Sequence, residues 1–288
     1  MAEYDRTTQD VGNILSFDHL NITVPDQQVA TLFYIVGLGF TRDPYLTVGL
    51  ENMWVNAGRQ QFHLPTRPTA QVVRGRIGVV VPSRPQLEER LGRIAPGLEG
   101  TAFAFNEHHG HLDVTCPWGN EFVVNQAAPG QFGGTALGMP WLELDVPAGT
   151  AAGIARFYAQ VMGAPAHVGT VRRNPAALVP MGRGQYIAFR EAEGELAPYD
   201  GHHIAIYLAD FAGPHARLEE QGLVSEESSE VQYRFVDIVD PDTGAVLTQL
   251  EHEVRSMHHP MYARPLVNRD ASIDQRTYTR GADALRVG

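Results

Sequence analysis

Phe17-Asp18-His19-Leu20-Asn21-Ile22-Thr23-Val24-Pro25 is the stretch on which the fold turns. Leu20, Ile22 and Val24 alternate with His19, Asn21 and Thr23, the period of a strand with one apolar and one polar face. A histidine at the head of such a strand, on its polar face, can look into a cavity. The apolar-periodic segment Val29 to Val36 follows, then Gly37-Leu38-Gly39. The unit therefore reads strand, short loop, helix, glycine stop.

The rest of the chain echoes this unit. Phe40 to Tyr45, Thr47 to Val55 and Gln60 to Leu64 are three further strands, with a tight turn at Asn56-Ala57-Gly58-Arg59. The pattern is βαβββ, and His63 faces away from Phe62 and Leu64. A second unit opens at Arg76-Ile77-Gly78-Val79-Val80-Val81 and continues through a helix with Leu87, Leu91 and Ile94 on one face. Its strands are Thr101 to Asn106, Leu112 to Cys116 and Glu121 to Val124. A third opens at Pro140-Trp141-Leu142-Glu143-Leu144-Asp145-Val146-Pro147, with Trp141 where His19 stood. Its Phe157-Tyr158 and Met162-Gly163 match Phe33-Tyr34 and Leu38-Gly39. A fourth opens at His203-Ile204-Ala205-Ile206-Tyr207-Leu208, again with histidine at the head, and turns at Asp240-Pro241-Asp242-Thr243-Gly244 before Val246 to Glu251. Such internal repetition is the mark of a duplication of a duplication.

Composition sets limits. The 288 residues, 43% hydrophobic and 19% charged, suffice for one large domain or two smaller ones with buried cores. The expected division is a module at 1–126, a Gly/Ala-rich linker at 127–138, a module at 139–256 and an extended surface tail at 257–288. A net charge of −11 without a basic block argues against nucleic acid or an anionic membrane as partner, and for a small molecule. A single cysteine, Cys116, permits no internal disulfide, and the N-terminal residues lack a secretory pattern; a cytoplasmic location is expected. Cys116 itself is expected as a half-buried strand-end residue. The dense group His108, His109 and His111 is expected in an exposed turn, and His258 and His259 on the surface.

Asp18-His19-Leu20-Asn21-Ile22-Thr23-Val24, Phe33-Tyr34 with Leu38-Gly39, His203-Ile204-Ala205-Ile206 and the Asp240 to Gly244 turn together resemble the vicinal oxygen chelate superfamily, which includes glyoxalase I, bleomycin resistance proteins and extradiol dioxygenases. The resemblance covers about residues 15–255. It implies an α+β fold in which four βαβββ units form two cup-shaped modules of mixed sheet, with one divalent metal inside a cup. Fe(II) or Mn(II) is favoured, with Zn(II) or Ni(II) as alternatives. Carried over by position, the metal ligands are His19, His63, His203 and one residue among Thr248, Gln249 and Glu251. Alternation turns Gln249 and Glu251 toward the cup, and a carboxylate is the better ligand, so Glu251 is preferred. His63, Tyr233 and Asp237 are the candidate catalytic residues, and Gln249 and Arg76 the candidate substrate contacts.

If units pair as sequence neighbours, neither cup holds a full ligand set. If unit one pairs with unit four, His19, His63, His203 and Glu251 converge. The resemblance implies crossed pairing for some glyoxalases and neighbour pairing for extradiol dioxygenases. A unit-exchanging homodimer is another route to convergence. The expected activity is that of a metal-dependent enzyme on a small organic substrate, dioxygenase-like first and a glyoxalase-like lyase or isomerase second. A metal-free binding or resistance protein is the alternative of another class.

Overall fold

The computed structural model describes residues 4–47, 51–108, 110–264 and 266. Unit one is β1 (Ile14–Asn21), α1 (Gln27–Ala30) running on as a π-helical stretch Thr31–Gly37, then β2 (Thr41–Thr47), β3 (Asn52–Ala57) and β4 (Gln60–Pro65). Unit two is β5 (Gly75–Val81), α2 (Arg84–Ile94), β6 (Ala104–His108), β7 (His111–Thr115) and β8 (Glu121–Gln126). Unit three is β9 (Gly138–Pro147), α3 (Ala151–Phe157) continued by Tyr158–Met162, β10 (His167–Val171), β11 (Asn174–Pro180) and β12 (Tyr186–Ala192). Unit four is β13 (His203–Leu208), α4 (Ala212–Glu220), β14 (Val224–Ser229), β15 (Gln232–Val239) and β16 (Val246–Ser256). All four units are βαβββ, as the repeats predict.

Local chemistry sets the helix ends. The Asp26 carboxylate accepts the backbone N–H groups of Gln28 and Val29 at 2.7 and 3.0 Å, capping α1. Ser83 caps α2, with a proline in its first turn. In unit three the helix stops at Gly163, whose φ of +71° favours glycine.

The strands form two eight-stranded mixed sheets. One runs β14-β15-β16-β13-β1-β4-β3-β2 and the other β10-β11-β12-β9-β5-β8-β7-β6. Unit one thus pairs with unit four, and unit two with unit three. Each sheet takes one unit from each half of the sequence, so the division at 1–126 and 139–256 is not the division of the sheets. The central contact of the first sheet is the antiparallel pair β1 and β13, flanked by parallel β4 and β16. All of this occurs within one chain, so His19, His63 and His203 converge without unit exchange in a dimer.

The helices lie between the sheets. Tyr34 packs on Phe62 of one sheet and Phe122 of the other. Tyr158 packs on Phe189 and on His252 in the same way. These rings belong to one continuous buried core, and each is worth roughly 2 kcal/mol in burial. The cup faces of the two sheets point away from it. Cys116 is fully buried in this core and not half-buried; its Sγ accepts backbone N–H groups of Trp118 and Asn120, and burial pushes the thiol up. His108 is exposed and His111 half-buried, while His109 lies outside the described residues.

The start of the tail departs from the expectation of a surface segment. Arg264 is buried, and its guanidinium meets the buried Asp43 carboxylate of β2 at 2.6 Å and Gln61 of β4 at 3.3 Å. Tyr262 packs on Tyr207 at 5.0 Å, and His259 lies half-buried at 6.3 Å from the same ring. Residues 257–264 therefore cross the first cup. Residues 267–288 lie outside the described part. No helix among the described residues is long and apolar enough to cross a membrane.

Candidate metal centre

The first cup is built by the registers of four strands. His19 pairs with Ala205, and Asn21 with His203. An approximate two-fold axis between β1 and β13 therefore exchanges His19 with His203. On the flanks, His19 and Asn21 pair with Gln61 and His63, while His203 and Ala205 pair with Glu251 and Glu253. The same axis exchanges Gln61 with Glu251 and His63 with Glu253. The unit-four counterpart of His63 is thus Glu253, not Glu251. Alternation gave the correct face, but the register was two residues short. Setting Gln61-Phe62-His63-Leu64 against Glu251-His252-Glu253-Val254 would have found it, with the core-facing His252 in the place of Phe62.

His19, His63 and His203 come together, each offering a ring nitrogen, and these atoms all lie within 4.8 Å of one another. His19 is completely buried, and its Nδ1 meets the Asp18 carboxylate at 3.0 Å. A β-bulge between Phe17 and His19 makes this possible, because it turns the neighbouring Asp18 toward the site as well. The Nε2 atoms of His19 and His203 are buried and have no hydrogen-bond partner. Trp54 stacks on His63 at 4.0 Å and sets its edge against His19 at 4.8 Å. His63 is more engaged: Nδ1 contacts the Asn21 amide and Nε2 the Asn52 amide oxygen, both at 2.5 Å.

Burial lowers the basicity of His19 and drives that of His63 further down, where the neighbouring His19 and His203 add to the effect. Both rings are neutral near pH 7, the form that binds metal. Glu253 Oε2 lies 3.6 Å from His203 Nε2. Burial alone would raise the Glu253 carboxyl; Arg255, with help from His203 and Arg234, holds it well below the usual range. Glu251 Oε1 is 3.9 Å from His203 Nδ1 and accepts a hydrogen bond from Arg234. Both carboxylates are outside the three-histidine group, with Glu253 the nearer to His203.

The other expected residues lie elsewhere. Tyr233 is fully buried on the helix side, against Phe211 and His215. It does not share a face with Asp237, because a bulge between Phe235 and Asp237 inverts the alternation. Asp237 instead accepts a hydrogen bond from the exposed Gln249 at 2.9 Å, at the rim beyond Glu251. Arg76 is on β5, in the second cup, and cannot contact a substrate in the first. Asp18, Glu253 and Arg255 are candidate site residues that the sequence did not single out.

No protein-family model matches the sequence, and a comparison with curated proteins finds no match. Solved structures do match. Glyoxalase I from Zea mays aligns with a TM-score of 0.58 at 14% identity, covering 88% of this chain and 95% of that one. A Bacillus subtilis protein provisionally described as a dioxygenase aligns with a TM-score of 0.53 at 14% identity, covering 88% of this chain and 87% of that one. The chain has the vicinal oxygen chelate fold.

The residues present suit the metal that this fold implies. Two buried imidazole nitrogens without hydrogen-bond partners, in histidines clustered with a third, are an unexplained cost unless something engages them. Asp18 on the far nitrogen of His19 fixes its tautomer, the usual device for a metal-bound histidine. Nitrogens sharing one ion at about 2.1 Å are at most about 4.2 Å apart, so the rings need close only slightly. His19, His63 and His203 would hold a divalent ion, with Glu253 as the anionic fourth donor.

Proposed function

We propose that the protein is a metal-dependent vicinal oxygen chelate enzyme of small molecules, a glyoxalase-like lyase or isomerase that moves a proton beside a carbonyl. The observation that carries this reading is the pairing of unit one with unit four, which brings His19, His63 and His203 together. Crossed pairing is what the family resemblance associates with glyoxalases, which moves this activity ahead of the dioxygenase-like one. A divalent ion in the cup would hold two adjacent substrate oxygens and acidify the C–H bond beside them. The protein supplies the rest. Asp18 keeps Nε2 of His19 free by accepting the proton of Nδ1. Arg255 keeps Glu253 ionised. Glu251, on the same face and outside the histidine group, takes the substrate proton on a carboxylate oxygen and returns it to the neighbouring atom. The segment 257–264 excludes water once substrate is in place.

The dioxygenase-like reading stands second, supported by the likeness to the Bacillus subtilis protein. One experiment separates the two. The metal-loaded protein is incubated in D₂O with a panel of α-hydroxyketones, hemithioacetals and catechols, while C–H exchange and O₂ uptake are followed. Exchange without O₂ uptake, lost in Glu251→Gln, is expected. Stoichiometric O₂ consumption without exchange overturns the isomerase reading and favours the second.

A further inference from the structure

Two equivalent ties join the sheets. Gly58-Arg59-Gln60 leads from the turn into β4, and Gly182-Arg183-Gly184-Gln185 from the turn into β12. Each turn presses on the first strand of the other sheet. A Cβ on Gly58, at φ +68°, would fall 1.9 Å from the Leu137 carbonyl oxygen, and one on Gly182, at φ +83°, 1.9 Å from that of Leu15. Glycine alone fits both the dihedral and the approach. The glutamine that follows reaches across. Gln60 Oε1 accepts the Met139 N–H at 3.0 Å, and Gln185 Oε1 accepts the Phe17 N–H at 3.3 Å. Both glutamines are 9% exposed.

Gln185 holds more than its counterpart does. Its Nε2 donates to the Phe17 carbonyl at 3.1 Å and to the Met139 carbonyl at 3.3 Å. One side chain therefore satisfies both backbone groups of the buried Phe17, which must find partners somewhere. β4 does not supply them, because its pairing with β1 starts only at His19 and Gln61. Ser16 is bridged to Gly182 as well. Ser16 and Phe17 are the regular pair between two bulges of β1, one between Ile14 and Ser16 and one between Phe17 and His19. The second bulge is the one that turns Asp18 toward Nδ1 of His19. Arg255 grips the carboxylate end of Asp18 at 3.3 Å. The backbone end is fixed one residue away, by Gln185. The other sheet has a register shift at the equivalent place, but Pro140 stands there where Asp18 stands in β1, and Trp141 where His19 stands.

We propose that Gln185, which belongs to the sheet without the histidines, is a positioning residue for the metal centre. It fixes the bulge that sets Asp18 on His19, and through Asp18 the tautomer of that ligand. The consequence for metal binding rests on the function proposed above; the tautomer is read without metal.

Long-range proton–nitrogen NMR spectra of the metal-free protein, taken at about pH 7.5 where the ring is neutral, report which nitrogen of His19 carries the proton. His19→Gln supplies the assignment. The parent should carry it on Nδ1. Gln185→Met keeps the length of the side chain and removes the amide, and should lose that single tautomer. Gln60→Met removes the equivalent tie to Met139 and should keep it, although the urea midpoint falls in both variants. Zn(II) affinity, by competition with a chromophoric chelator, should drop at least about tenfold in Gln185→Met and hold in Gln60→Met. A proton retained on Nδ1 in Gln185→Met, its loss to the same extent in Gln60→Met, or unchanged Zn(II) affinity in Gln185→Met would each overturn the proposal. A parent that takes up no Zn(II) would instead count against the metal centre itself, with the tautomer comparison still deciding the role of Gln185. If Gln185→Met fails to fold, Gln185→Asn, whose amide is one methylene too short to span the gap, carries the same comparison.

Discussion

His252 gives the sharpest test of how the core is built. It is completely buried where the other units carry Phe62, Phe122 and Ile187. Its ring stacks on Phe235 at 4.2 Å and 9°. Nδ1–H donates to the Leu250 carbonyl at 2.7 Å, and Nε2 accepts the Tyr158 hydroxyl at 2.6 Å. Both nitrogens are satisfied only in the neutral ring, and burial pulls the pKa from 6.5 to about 3. The sign follows directly. Below 6.5 the unfolded histidine takes a proton that the folded one refuses, so stability present above 6.5 is lost as pH falls toward 3. At pH about 5 the gap from 6.5 is about 1.5 units, which at about 1.4 kcal/mol per unit makes a loss of about 2 kcal/mol from this residue alone. The assay is urea denaturation of the parent and of His252→Gln at pH about 7.5 and about 5. Glutamine keeps a donor and an acceptor but does not titrate. The stability lost between the two pH values should be about 2 kcal/mol smaller in the variant. The buried His19 and the half-buried His63 and His259 also titrate low, but they do so in both proteins and cancel in the difference. Equal pH dependence in the two proteins would refute the reasoning.

Asp18→Asn should leave the fold intact and weaken metal binding by about 10–100-fold, measured by competition with a chromophoric chelator, because His19 loses the acceptor that sets its tautomer. Glu253→Gln should weaken metal binding more than Glu251→Gln does, while Glu251→Gln should lose more turnover than affinity; the reverse order would reinstate Glu251 as the ligand. Arg264→Ala removes a guanidinium that meets the buried Asp43 carboxylate at 2.6 Å, and should cost about 3 kcal/mol by denaturation. Asp43→Ala should cost less, because the segment carrying Arg264 can peel away, which limited proteolysis near residue 260 would report.

Much of this fold was legible in the sequence because the signal was local. Strand alternation around His19 and His203, the Phe-Tyr helices and the Asp240 turn each follow from a few neighbouring residues. Pairing was not legible. Nothing inside β1 states whether β13 or β9 will lie beside it, since partner choice depends on the shape of the whole assembly. The two bulges were also invisible. One adds Asp18 to the site and the other takes Asp237 off the face of Tyr233, and neither carries a glycine to announce it. Glu253 was missed by register, which a strand-end count fixes only to within a residue pair. Arg264 was missed because a lone arginine in a polar tail looks solvated until its buried partner, Asp43, is known.

The central claim is that units one and four build one metal site within a single chain. Metal content per chain, measured on the protein and on His19→Ala and His203→Ala after loading with Fe(II), Mn(II), Ni(II) or Zn(II), tests it most directly. The account predicts about one ion per chain in the parent and loss of that ion in both variants, with the fold retained. A parent that takes up no metal, or an ion that survives either substitution, would contradict it.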